Sequence, residues 1–266
     1  MHPYIDIGSL TLTTYTILHS VGIVAGSMLG YRRLKRLQIS TFAAMGILLL
    51  LIFSAHLGAH VYHVAANLAR FLTNPRGLFN FWNQGLSIYG GLIGGGLAIL
   101  LCSRLSRRSI WQLGDALAPA AVLALIFFRV GCYTRGCCHG LPCGEDSIFA
   151  GLRTRLIGNV ETSVHPTQLY SAAAALVLLV VLMGLGRRKF FEGELLIVFL
   201  LLYSTQRFII EFFRASYLIG RTPITLFSAP LNWNQLFAGA FFALGLILLA
   251  VRWRALREGV AECFRP

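Results

Sequence analysis

The feature that most constrains this chain is a recurrence of apolar stretches, each near the length of helix that crosses a bilayer, about 20 residues. Seven can be drawn, at 13–31, 39–57 (extendable to 67), 86–102, 115–129, 167–185, 193–213 and 232–251. None alternates apolar with polar residues as the strands of a membrane barrel must. Hydrocarbon offers no partner to an unpaired backbone amide, so each stretch has to be helical. Of the 266 residues, 56% are hydrophobic and only 12% charged, about half the charged share of a soluble domain. The expected fold is all-α: a polytopic integral membrane protein of seven transmembrane helices, a single domain over 1–266 with no repeat and no linker.

The net charge of +13 does not call for nucleic acid, because basic residues of a membrane protein collect in its cytoplasmic loops. Fourteen of the 23 basic residues follow spans one, three, five and seven: Arg32, Arg33, Lys35 and Arg36; Arg104, Arg107 and Arg108; Arg187, Arg188 and Lys189; Arg252, Arg254, Arg257 and Arg265. If the spans alternate, these all fall on one side, which the positive-inside rule makes cytoplasmic. The N-terminus is then outside and the C-terminus inside. The segment before span one lacks a basic start and a small-residue cleavage site, so span one is expected to be retained. The outer segments are 69–85, 130–166 and 214–231. The second is too long for a mere connector, and loops of that length usually carry function.

Charges within membrane spans are expensive and mark sites. In span six, Arg207 and Glu211 stand four residues apart on one helical face, with Arg214 seven from Arg207 on nearly the same face. Two guanidiniums against one carboxylate leave a positive charge over, and the guanidinium fork suits phosphate. Span four also ends in an arginine, Arg129. Together these residues define either a phosphate-type anion site at the outer headgroup level or a structural charge network. His165-Pro166-Thr167-Gln168-Leu169-Tyr170 opens span five, with Pro166 at a helix start where its missing N–H costs nothing. His165, Gln168 and Tyr170 there are either site residues or an interfacial anchor.

Three further groups stand out. His56, His60 and His63, at i, i+4 and i+7, fit a metal or haem face, or simple helix packing. Gly90, Gly91, Gly94, Gly95 and Gly96 crowd span three, where close helix packing is the simplest role. Cys132, Cys137, Cys138 and Cys143, with His139 among them, concentrate in the long outer loop, while Cys102 and Cys263 lie on the inner side. Outside the membrane, disulfide pairing is expected. Zinc is the other chemistry, though two clean CxxC pairs are lacking.

Four blocks then carry a likeness, in order: 85–94 (Gly-Leu-Ser-Ile-Tyr-Gly-Gly-Leu-Ile-Gly), Arg129-Val130-Gly131-Cys132-Tyr133, His165 through Tyr170, and Arg207 through Arg214, with His2-Pro3 and Tyr15 near the start. In these the chain resembles the prolipoprotein diacylglyceryl transferase family, over almost its whole length. The resemblance implies an enzyme of the bacterial inner (cytoplasmic) membrane, multi-pass and N-out, with its active site on the outer side. It implies transfer of a diacylglyceryl group from phosphatidylglycerol to the lipobox cysteine thiol in the signal peptide of a preprolipoprotein, releasing glycerol phosphate. Its partners are that lipid, that peptide and the surrounding membrane lipids, with no cofactor, no metal and no nucleic acid.

By resemblance Arg129 and Arg207 take the phosphate, Glu211 orients Arg207, and Tyr89 completes the catalytic set. Tyr15, His165, Gln168, Tyr170, Tyr203 and Arg214 bind substrate. The chain also departs from the family. Tyr89 stands where many members carry His, and tyrosine, with pKa ~10, is a poor base at neutral pH. Cys132-Tyr133-Thr134-Arg135-Gly136-Cys137 replaces an Asn-Phe-x-Asn-Gly-Glu run, and Ser171 replaces a Glu. His139 becomes a candidate for proton transfer and Arg135 an extra cation. The alternatives to the enzyme are a diverged paralogue that binds lipid or transfers another headgroup, and a metal or haem protein built on His56, His60 and His63.

Overall fold

The computed structural model describes residues 4–7, 10–73, 87–144, 146–148, 154–157, 160–214, 224–226 and 229–263. The elements in order are β1 (Tyr4–Ile7), β2 (Leu10–Thr13), α1 (Thr14–Arg36), α2 (Thr41–Ala66), α3 (Leu68–Thr73), α4 (Ile88–Ser106), α5 (Ile110–Arg135), β3 (Thr154–Ile157), β4 (Val160–Ser163), α6 (Thr167–Leu185), α7 (Glu194–Phe212), β5 (Ile224–Leu226), β6 (Ala229–Leu231) and α8 (Trp233–Cys263). The protein is an all-α polytopic membrane protein. Six helices among the described residues are long and apolar enough to cross a bilayer: α2, α4, α5, α6, α7 and α8, with mean hydropathies of 1.6 to 2.1. Leu49, Phe53, Leu97, Leu105, Val177 and Val180 are each more than half exposed on these helices. That much apolar surface belongs against lipid.

The small strands form three antiparallel hairpins, β1–β2, β3–β4 and β5–β6. Each delivers the chain to a helix start: Thr13 precedes α1, Ser163 precedes α6 by a short link, and Leu231 precedes α8. Several helices outrun the spans expected from hydropathy. α1 continues through the four basic residues to Arg36, and α5 continues through residues 130–135, so the long loop begins at Gly136 rather than at Val130. Residues 74–86 (Gly85 and Leu86 among them), most of 215–228, and His2 and Pro3 lie outside the described residues.

The chain divides into two compact units, one of residues 27–117 and one of 1–26 with 118–266. In the 27–117 unit, Leu34, Ile47, Leu48, Cys102, Leu113 and Leu117 form a buried apolar core, and the Arg33 guanidinium donates to the Asp115 carbonyl (3.2 Å). α2 and α4 meet backbone to backbone. A Cβ on Gly94 would collide with the Ser54 carbonyl, and one on Gly90 with the Gly58 carbonyl. These are the small-residue contacts by which helices associate without hydrophobic driving force. Gly96 has open space around it, so only part of the glycine run is used this way.

In the other unit, α1 lies close to α5 through Gly22 and Gly26, whose Cβ positions face the Ala124 and Ala120 carbonyls at 2.9 and 2.8 Å. α6, α7 and α8 pack in sequence order. Between α7 and α8 lies an apolar cavity of about 270 Å³ lined by Ser204, Thr205, Phe208, Ile209, Gly239 and Phe242, among others.

Candidate functional site: a buried cationic cluster beside a three-thiol loop

Glu211, fully buried near the end of α7, organises the site. One carboxylate oxygen, Oε2, takes Arg207 Nη2 at 2.9 Å and Arg214 Nη1 at 3.5 Å. The other, Oε1, accepts from the Asn232 and Asn234 side-chain amides at 3.2 and 2.8 Å. The asparagines arrive because Asn232 caps α8. Its Oδ1 accepts from the Gln235 N–H (3.0 Å) while Gln235 Oε1 accepts from the Asn232 N–H (3.1 Å), a reciprocal capping box. Glu211 is therefore saturated, and two guanidiniums share its single charge. Arg207 is 3% exposed, and its Nε has no partner among the described residues.

Arg129, on α5, is 9% exposed. The Tyr203 phenol of α7 lies beside it, with no well-formed hydrogen bond from its hydroxyl among the described residues. Among those residues no carboxylate pairs with Arg129. A buried guanidinium without a counter-charge is costly unless an anion supplies one. Counting carboxylates among the described residues, Arg129, Arg207 and Arg214 are set against Glu211.

The loop after α5 is folded tightly by two left-handed positions, Gly136 (φ 80°) and Cys138 (φ 60°). It brings the sulfurs of Cys132, Cys137 and Cys138 within 4.8 Å of one another. The start of α6 holds this loop. Thr167 Oγ1 donates to the Cys138 carbonyl (2.7 Å) and Gln168 Nε2 to the Cys137 carbonyl (2.5 Å). Gly140 is then threaded between two segments of the chain. Its N–H donates to the His165 carbonyl (2.8 Å), the next N–H, of Leu141, to the Phe213 carbonyl (2.9 Å), and an added Cβ would meet His165 Cβ and the Phe213 oxygen at 2.5 Å. The thiol loop, the α6 start and the α7 end are thereby joined. The Cys138 thiol is held well below the ordinary thiol range, first by the neighbouring Cys132 and Cys137 thiols and then, against the cost of burial, by the Arg214 and Arg129 charges. Cys137 is pushed up by its own sulfur neighbours, Cys132 and Cys138.

Most residues expected in the site are gathered here. Arg129, Tyr203, Arg207, Glu211 and Arg214 form the charged centre. Gln168 serves the loop, its Oε1 unpartnered among the described residues. His165 Nδ1 lies 3.0 Å from the Tyr170 hydroxyl, and both rings pack on Phe213. Tyr15 lies against the three cysteines, with the Arg135 guanidinium over its ring at 5.0 Å. Tyr89 belongs to the 27–117 unit, where it is 1% exposed. Ser171 is spent on its own helix, donating to the Thr167 carbonyl at 2.9 Å, and His139 Nδ1 on the Gly140 carbonyl at 2.9 Å.

One expectation is corrected. Cys132, Cys137, Cys138 and Cys143 are all free thiols, not disulfide-bonded; the loop directs three of them to one point. His56 and His63 find local partners, the Ile52 carbonyl (2.9 Å) and Asn67 (3.5 Å). Among the described residues only the three cysteines form a metal-sized donor group. Asn232, Asn234 and Thr167 were missed. The Asn-x-x-Gln pattern ahead of an apolar run was the available signal for Asn232.

Several apolar helices long enough to cross a bilayer, with buried arginines on two of them, define an integral membrane protein. The family model described as prolipoprotein diacylglyceryl transferase matches residues 3–251, and the chain belongs to that family and is a transferase. Similar relatives are named phosphatidylglycerol–prolipoprotein diacylglyceryl transferase. The Geobacter sulfurreducens protein is 30% identical over 92% of this chain and 95% of its own length. The Nostoc sp. protein is 28% identical over 96% of this chain and 89% of its own length. A Clostridium perfringens protein, numbered 2 under that name, is 26% identical over 79% and 81%.

Proposed function

We propose that this chain transfers a diacylglyceryl group from phosphatidylglycerol to the lipobox cysteine thiol of a preprolipoprotein. It does so as a single domain crossing the bacterial cytoplasmic membrane seven times, N-terminus outside, with the site facing outward. The observation that carries the reading is Arg129, a buried guanidinium with no carboxylate partner among the described residues, in the same unit as Arg207 and Arg214, which share Glu211. The order of basic residues along the chain supports the orientation.

In the reaction the acceptor thiolate attacks the terminal glyceryl carbon of the lipid. The S–C bond forms as the C–O bond to phosphate breaks, and its electron pair leaves on glycerol phosphate. Negative charge grows on the leaving oxygen, where fixed cations in a dry site stabilise it most. Arg129 and Arg207 hold the phosphate oxygens. Glu211, itself locked by Asn232 and Asn234, positions Arg207 and Arg214 without cancelling them. The Tyr203 hydroxyl donates to the same group, and His165 with Tyr170 orients the peptide. The apolar cavity between α7 and α8 receives hydrocarbon of the lipid.

The test is transfer to a lipobox peptide by membranes carrying Arg129→Ala or Arg207→Ala, read as the mass gain of the peptide. Each variant is expected to lose about 10²–10³ in rate, the scale for removing a charge-stabilising donor. Wild-type turnover in both contradicts the assignment.

A further inference from the structure

We infer that Cys132, Cys137 and Cys138 form a binding site for one thiophilic d10 cation of the Zn²⁺ class, with its fourth position left open for the acceptor thiol. Three sulfurs within 4.8 Å of one another need only close slightly to reach the roughly 3.8 Å sulfur separation that 2.3 Å Zn–S bonds impose in a tetrahedron. Three thiolates suit such a cation better than oxygen-seeking Mg²⁺ or Ca²⁺.

The surroundings are those of a built site. Cys138 is a non-glycine residue at φ 60°, a conformation that costs energy and persists where the fold requires a particular geometry. That turn, with Gly136, folds two thiols back onto the third at the end of α5. The carbonyls of Cys137 and Cys138 are pinned by Gln168 and Thr167, which are 1% and 2% exposed. Such outer contacts orient metal ligands and tune the ion. Three thiolates on a divalent cation carry one net negative charge, which the Arg214 and Arg129 charges near Cys138 offset, leaving one positive charge of the cluster for phosphate.

Among the described residues, no fourth His, Cys, Asp or Glu donor joins the three. Three protein ligands with one position open is the arrangement of catalytic sites, whereas structural zinc sites are closed by four. The occupant of that position follows from the proposed function, on which this part rests. The acceptor is a thiol, and a coordinated thiol is deprotonated outright. It binds as thiolate, giving its proton to water, then attacks the glyceryl carbon as the C–O bond breaks onto glycerol phosphate. The metal is neither oxidised nor reduced. This supplies the activated sulfur without a side-chain base.

The experiment uses the full chain, purified reduced in lipid nanodiscs, loaded with Zn²⁺ and dialysed. Elemental analysis is expected to give one Zn²⁺ per chain, falling at least tenfold in Cys132→Ser/Cys138→Ser and unchanged in Cys102→Ser/Cys143→Ser. Loading with Cd²⁺ is expected to give a thiolate-to-metal charge-transfer band that the first variant lacks. No retained metal in wild type with reactive thiols, or equal metal in the Cys132→Ser/Cys138→Ser variant, overturns the site. So does a disulfide within the trio in protein purified anaerobically with Zn²⁺. A lipobox peptide is expected to intensify the cadmium band, and its Cys→Ser version to leave it unchanged. A band unmoved by the peptide, in protein that transfers, overturns the open position. Protein that holds Zn²⁺ but does not transfer supports the metal site and overturns the transferase assignment instead.

Discussion

Glu211→Gln tests the charge balance of the site with almost no change of shape. Among the described residues the carboxylate accepts from Arg207 (2.9 Å) and Arg214 (3.5 Å) on one oxygen and from Asn232 (3.2 Å) and Asn234 (2.8 Å) on the other. A glutamine keeps one acceptor and turns an NH₂ toward the remaining pair, so two donors face a donor whichever way it flips. At the same time Arg207, nearly fully buried, loses its counter-charge. Breaking a buried pair from one side costs about 3–5 kcal/mol. For a chain of this size that corresponds to a fall on the order of 10 °C in the unfolding midpoint. The assay is thermal unfolding in detergent or, where unfolding is irreversible, the half-life of the folded state at a fixed temperature. Arg214→Met is the internal control. Arg214 is the more exposed and more distant partner, so its loss alone is mild, and in the Glu211→Gln background it should recover part of the stability. An unfolding midpoint within about 2 °C of wild type for Glu211→Gln, well inside the expected shift, refutes a charge balance centred on Glu211.

Three further substitutions probe the frame. Gly94→Val drives a side chain into the Ser54 backbone of α2; overpacking of this kind costs about 1–3 kcal/mol, read in the same thermal assay, and an unchanged midpoint contradicts the close helix approach. Gly140→Ala places a methyl against His165 and the Phe213 oxygen and is expected to lower peptide transfer along with stability, since the strand it forces aside carries the thiol loop. Full transfer by that variant contradicts the joining role of Gly140. Gly239→Phe enters open space beside the α7–α8 cavity. Stability should hold or rise by up to about 1 kcal/mol from helix propensity, while the KM for lipid rises; an unchanged KM shows that hydrocarbon does not use the cavity.

The helices were legible because lipid leaves the backbone no other answer, but their ends were not. Hydropathy marks where the apolar core stops, and a helix need not stop with it: residues 130–135 contain no helix breaker strong enough to end it, so α5 runs on to the first left-handed residue, Gly136. α1 likewise carries its basic residues on its last turns. Within α7, the Arg207–Glu211 pair could be read because four residues is one helical turn. The Asn232 and Asn234 amides that complete Glu211 lie 21 and 23 residues further on, and no local period connects them. The cysteines show the limit most plainly. Their spacing allows disulfides, zinc or free thiols, and only the turn at Gly136 and Cys138, held by Thr167 and Gln168, selects three of the four. Tyr89 was placed with the arginines by resemblance alone, and the fold assigns it to the 27–117 unit.

Everything proposed for the reaction depends on one assignment: the undercompensated arginines hold the phosphate of a lipid donor while its glyceryl carbon passes to a thiol. The decisive assay incubates purified chain with phosphatidylglycerol and a lipobox peptide and quantifies both products together. Equal molar amounts of diacylglyceryl-thioether peptide and glycerol phosphate are expected from wild type, with both lost in Arg129→Ala. Folded wild-type protein that makes neither product, or an Arg129→Ala variant that makes both at the wild-type rate, contradicts that assignment.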